Sequence, residues 1–106
     1  MAVEANISWF IGEDLTFTDT ITGVNITGWA ISFKLEPLAG GTDLFTKTVG
    51  NGITLTTPVS GIMTIAIAAA NTSSLEPGRY RYEIARTDAG AATVLTYGYV
   101  TLKYRP

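Results

Sequence analysis

Leu75-Glu76-Pro77-Gly78-Arg79-Tyr80-Arg81-Tyr82-Glu83-Ile84-Ala85-Arg86-Thr87-Asp88 is the stretch that decides the fold class. A proline-glycine turn opens into a run in which Tyr80, Tyr82 and Ile84 fall on one face. Arg79, Arg81 and Glu83 fall on the other. This period of two belongs to a half-buried strand, whose aromatic face enters a core while its charged face meets water or a partner.

Working outward, the same pattern recurs at short intervals with turn residues between. Residues 7–11 predict a first strand, stopped by Gly12-Glu13-Asp14. Leu15 and Phe17 point inward in the next. Trp29, Ile31, Phe33 and Leu35 alternate with Ala30, Ser32, Lys34 and Glu36, which predicts the central strand, ended at Pro37. A glycine-containing loop at 38–43 leads to a short strand around 44–48. Gly50-Asn51-Gly52 reads as a turn, because Asn and Gly accept positive φ. Strands follow at 53–56 and 62–67, with Met63, Ile65 and Ile67 sharing a face. Residues 68–75 are alanine-rich and too short for more than one helical turn. Asp88-Ala89-Gly90 predicts a further turn. The last strand, 93–104, is long enough to bend, and Gly98 is the natural place for it. Seven or so short strands in one domain, residues 1–106, predict an all-β, immunoglobulin-like antiparallel sandwich, with a jelly roll as the alternative. Without the cysteine pair of antibody domains, the core rests on Trp29, Phe33, Tyr82 and the aliphatic positions, with Trp29 as its anchor.

Composition narrows the function. Charged residues make up 15% of the 106, against roughly 25% in globular proteins. Such a surface suits a subunit covered by others, or a threonine-rich domain made soluble by hydroxyls. The net charge of −2 offers no basic patch for nucleic acid. The absence of histidine and cysteine removes imidazole bases, thiolate nucleophiles and the usual zinc sites. The low-polarity run 61–70 is too short to span a bilayer, and the N-terminus lacks the basic region of a signal peptide. The expected partners therefore include neither nucleic acid nor membrane, and no cofactor or metal is implied.

Several groups invite a chemical reading. Glu13, Asp14 and Asp19 could share a calcium ion, but their spacing matches no loop motif and solvation is the expected role. Glu36 and Glu83 resemble a glycosidase pair only in residue type, and both are expected to be solvated on polar strand faces. Asn6-Ile7-Ser8, Asn25-Ile26-Thr27 and Asn71-Thr72-Ser73 are chance matches to the glycosylation pattern. Arg79, Arg81 and Arg86, close to Glu83, are expected to form ion pairs within one surface. The most informative set is Tyr97, Tyr99 and Tyr104 with Arg79 and Arg81. With Gly98, Val100 and Leu102 turned inward, Tyr97 and Tyr99 face outward. Tyrosine and arginine serve protein interfaces and sugar platforms alike, and cross-strand aromatic pairs also stabilise sheets.

Five segments carry a resemblance when taken in order. They are Phe10-Ile11-Gly12-Glu13-Asp14-Leu15, Ile26-Thr27-Gly28-Trp29, Gly61-Ile62-Met63-Thr64-Ile65, the run from Thr72 through Tyr82, and Thr96-Tyr97-Gly98. Together the chain resembles the small Ig-like domain of tailed-phage virion proteins, such as the N-terminal domain of siphophage baseplate upper proteins. The resemblance implies a non-enzymatic structural subunit, located in the virion and assembled in the host cytoplasm. Its expected role is capsid decoration or cement, or neck, tail or baseplate attachment. The implied partners are other virion proteins and copies of itself. With Met1 first and no receptor-binding region after the domain, a free-standing gene product is expected. The contact residues are expected at Tyr97, Tyr99, Tyr104, Arg79 and Arg81, with residues 1–6 reaching neighbours because they are too short to form an element. The alternative is a carbohydrate-binding receptor-recognition module, in which the tyrosines stack on sugar rings.

Overall fold

The computed structural model describes residues 2–88 and 93–105. They form nine strands and one helical turn: β1 (Val3–Glu4), β2 (Ile7–Phe10), β3 (Leu15–Thr20), β4 (Ile31–Pro37), β5 (Phe45–Val49), β6 (Gly52–Thr57), β7 (Ile62–Ile67), α1 (Ala69–Thr72), β8 (Gly78–Arg86) and β9 (Thr93–Lys103). A 3-10 turn at Pro58–Ser60 separates β6 from β7. The fold is all-β, as expected. Of the turn expected at Asp88-Ala89-Gly90, the last two residues lie outside the described ones. Among the described residues no helix is long and apolar enough to cross a membrane.

The strands follow the spatial order β1-β9-β8-β4-β5-β6-β7-β3, with β2 also on β9. The β9-β8-β4-β5 and β6-β7-β3 neighbours are antiparallel, whereas β1 and β2 join β9 in parallel, so the sheet is mixed. Only two residue pairs link β5 to β6, across the tight corner at Gly50-Asn51-Gly52. Gly50 (φ 88°) and Gly52 (φ 100°) take the positive φ that this corner requires and that glycine tolerates. The sheet curls there, bringing β3-β7-β6 over β4-β8-β9 as two layers of a sandwich. Phe17 of β3 meets Phe33 of β4 edge-on, with ring centroids 6.1 Å apart. The Thr96 hydroxyl of β9 donates to the Asp19 carboxylate of β3 at 2.7 Å.

The inward positions are those that the alternation predicts. Ile31, Phe33 and Leu35, then Met63, Ile65 and Ile67, then Tyr82 and Ile84, then Val100 and Leu102 are all buried. Phe33 stacks on Tyr82 at 5.4 Å and on Phe45 at 6.0 Å. Trp29 departs from expectation: it precedes β4, is half-buried at the margin of the core, and lies under the Arg86 guanidinium at 4.1 Å. The cause is a turn at residues 26–29, closed by Trp29 N–H donating to the Ile26 carbonyl, with Gly28 at φ 78°. That turn breaks the alternation just before the strand begins. The buried tryptophan is Trp9 of β2, at 6% exposure.

Residues 3 and 4 correct a second expectation, since they form β1 on the edge of their own β9. Gly98 makes room for them: a Cβ there would collide with the Ala5 carbonyl oxygen. Gly98, expected as the place of a bend, is instead where the chain's own backbone approaches β9 closely. Ala5 N–H donates to Tyr97 O at 2.9 Å, and Tyr99 N–H donates to the Asn6 side-chain oxygen at 3.0 Å. The irregularity in β9 falls at Leu95, which has no partner where the β8 register shifts between Ile84 and Ala85.

Phe33→Ala is expected to cost about 3–5 kcal/mol in urea melts. Trp29→Ala, at the core margin, is expected to cost only about 1–2 kcal/mol; equal costs would contradict the core described. Gly98→Ala is expected to push β1 off β9. It should raise hydrogen exchange at the Ala5 amide while the β4–β8 amides stay protected; unchanged Ala5 exchange would show that the approach relaxes freely.

Candidate functional site

The pairing of β4, β8, β9 and β1 sets the outward side chains in cross-strand rows. One row runs Glu36, Arg81, Tyr99. The next runs Lys34, Glu83, Tyr97, Glu4, its last member supplied by the parallel pairing of β1. Side chains two residues apart on a strand point the same way, so the two rows lie side by side on one face. They enclose a groove of about 470 Å³, lined by Glu4, Glu36, Arg81, Glu83, Tyr97 and Tyr99 together with Leu38 and Arg79. Its floor is the backbone around Gly98 and the Tyr82 position opposite it.

Four of the five predicted contact residues therefore meet in one place: Tyr97, Tyr99, Arg79 and Arg81. The outward facing of the tyrosines is as predicted, at 43% and 40% exposure. Tyr104 follows the end of β9, is 66% exposed and does not line the groove. The Arg79 guanidinium sits 5.1 Å from the Tyr99 ring centroid, so that ring carries a cation of its own. The ion-pair network expected around Glu83 is not formed. Among the described residues, Arg86 instead pairs with Asp88 at 2.6 Å, Lys34 with Asp43 at 4.0 Å and Arg105 with Glu13 at 3.5 Å. The Arg86 hydrogen bond holds the Asp88 carboxyl below its ordinary range. Within the groove, Glu4, Glu36, Glu83 and Arg81 form no ion pair with any described residue.

The remaining candidates serve the fold. Glu13 pairs with Arg105, Asp14 accepts from Ala69 N–H at 2.7 Å, and Asp19 accepts from Thr96. These three carboxylates thus go to three separate places. The asparagines of the glycosylation-like triplets accept local hydrogen bonds: Asn6 from Tyr99 N–H, Asn25 from Thr27 N–H, and Asn71 from Ala68 N–H. Glu36 and Glu83, expected to be merely solvated, line the groove beside the tyrosines. The strand alternation already placed Glu83 on this face. Glu4 had no such signal, because its place depends on a parallel pairing across more than ninety residues.

Tyr82 connects the core to this site. Its hydroxyl donates to the Ala5 carbonyl at 2.5 Å, which fastens the segment that carries Glu4. Burial first, and the Asp19 charge second, push the Tyr82 hydroxyl up to about 12. The ordinary value is about 10, so the folded state keeps this proton longer than the unfolded chain. Its stabilisation is complete below about pH 10 and declines between about pH 10 and 12. Across that interval the wild type is expected to lose about 2–3 kcal/mol more than Tyr82→Phe, measured by denaturant melts. Parallel loss in the two proteins would contradict the assignment.

Compared with known proteins, the chain matches no protein-family model, and no curated protein matches it either.

Proposed function

We propose that this domain is a non-enzymatic structural subunit of a tailed-phage virion, an Ig-like sandwich that attaches to other virion proteins by protein–protein contact. It would serve as a capsid decoration or cement subunit, or as an attachment subunit of the neck, tail or baseplate. The observation that supports this best is the unequal distribution of charge between the two layers. The outer face of β3-β7-β6 consists of Thr16, Thr18 and Thr20, then Ile62, Thr64 and Ala66, then Thr54 and Thr56. The one charged residue of these three strands, Asp19, turns inward to Thr96.

Covering such a face is inexpensive. Hydroxyls and methyls lose little on leaving water compared with ionised groups, and interface cores are depleted in charge for that reason. At the end of the strand order, β3 also offers one line of backbone N–H and C=O groups to a neighbour's strand. The ordered resemblance to the small virion domains supports the same reading. In this arrangement the threonine layer is covered and the groove layer looks outward.

Thr18→Lys/Thr54→Lys places charges at two exposed, non-adjacent positions of this face. The variant is expected to melt like the wild type but to be incorporated about tenfold less into particles, a loss of about 1.4 kcal/mol in attachment. The measurement is mass spectrometry of purified virions, with the protein supplied in trans to a deletion phage. Absence of the wild-type protein from particles would sink the virion reading; normal incorporation of the variant would sink the threonine face.

A further inference from the structure

We infer that the groove on the β4-β8-β9 layer is a binding site for a neutral saccharide. This goes beyond attachment through the threonine layer and does not depend on it.

Among the described residues, the side chains of the groove leave an aromatic face and several charged groups without a partner. Tyr97 stands in register between Glu83 on β8 and Glu4 on β1. Its exposed ring thus has one glutamate on each side, and neither carboxylate is neutralised by a described residue. Two positions along β9, Tyr99 has Arg81 and then Glu36 across the strands, with Arg79 over its ring. The site therefore combines one open aromatic face, hydrogen-bond acceptors on both sides of it, and guanidinium donors close by.

A sugar ring uses all three. Its C–H face packs on an aromatic ring, and its hydroxyls both donate to carboxylates and accept from guanidinium groups. Other ligand classes use the set poorly. A phosphate or other anion would meet the arginines, but also three carboxylates. A quaternary ammonium would suit Tyr97 with Glu83 and Glu4, yet Arg79 already occupies Tyr99 and Arg81 adds a second positive charge. The nearly balanced charge of the groove selects a polar, uncharged ligand. A volume of about 470 Å³ lies within the range of small-molecule clefts, about 300–1,000 Å³. Because the groove is built on four paired strands, β4, β8, β9 and β1, its walls are held in place before the ligand arrives.

The test uses the full chain and ligand-observed saturation-transfer NMR. The probes are neutral trisaccharides of glucose, mannose, galactose and N-acetylglucosamine, with tetramethylammonium and inorganic phosphate as competing chemistries. At least one trisaccharide is expected to bind with a Kd of about 1 mM or tighter. Tyr97→Ser should weaken it at least about tenfold, and so should Glu83→Gln, a near-isosteric change that does not alter the core. Thr18→Lys/Thr54→Lys should bind like the wild type, which separates this site from the attachment face. The inference is overturned if no trisaccharide binds, if Glu83→Gln binds as well as the wild type, or if tetramethylammonium or phosphate binds in preference.

Discussion

Phe33 is the point at which the two layers are joined. Its ring stacks on Tyr82 and Phe45 within its own layer and meets Phe17 of the opposite layer edge-on. Each such aromatic pair contributes about 0.5–1.5 kcal/mol beyond the area buried. The chain has no cysteine, so no covalent staple shares this task. The same contacts set the register of β4 and β8. Because side chains alternate, holding Phe33, Tyr82 and Ile84 inward holds Lys34, Glu36, Arg81 and Glu83 outward. A slip of one residue would exchange the two sets and remove the core and the groove together. Packing inside the sandwich and chemistry outside it are thus one constraint seen from two sides.

What could be read directly from the residues was local. The period of two placed β7 and most of β4, β8 and β9, and it put Tyr97 and Tyr99 on the outer face. One helical turn at Ala69–Thr72 was legible from its length and from Pro77-Gly78 beyond it. The failures arose where a distant or opposing contact overrode the local pattern. Trp29 continues the alternation of β4 in sequence, but the turn closed on Ile26 removes it from the strand. Residues 3 and 4 have no pattern of their own and become a strand only because β9 offers a parallel edge with a gap at Gly98. The groove was half visible. Its tyrosines and arginines stood out by type; Glu36 and Glu83 were expected only to be solvated and Glu4 carried no signal, until strand pairing set all three beside the rings.

The low charge of the chain also takes on a different meaning once placed in space. A 15% charged fraction suggests a uniformly bland surface. Instead, β3, β6 and β7 hold a single charged side chain, turned inward, while Glu4, Lys34, Glu36, Arg79, Arg81 and Glu83 gather on the other layer. The two faces therefore differ in what they give up when covered. Threonines lose little, whereas the charged face must recover its hydration through specific polar contacts.

The parallel placement of β1 and β2 on β9 has a mechanical consequence. Val3 pairs with Thr96 and Phe10 with Lys103, so the first and last strands run side by side in the same direction. Residue 3 and residue 103 consequently stand about 23 Å apart along the strands, at the rise of an extended chain. A tensile force pulling these two ends apart does not peel the sheet open one bond at a time. It slides β1-β2 along β9 and strains the whole ladder at once, with the Tyr82–Ala5 hydrogen bond and the Ala5 carbonyl lodged against Gly98 resisting the same displacement. The domain is thus fastened in shear along its length.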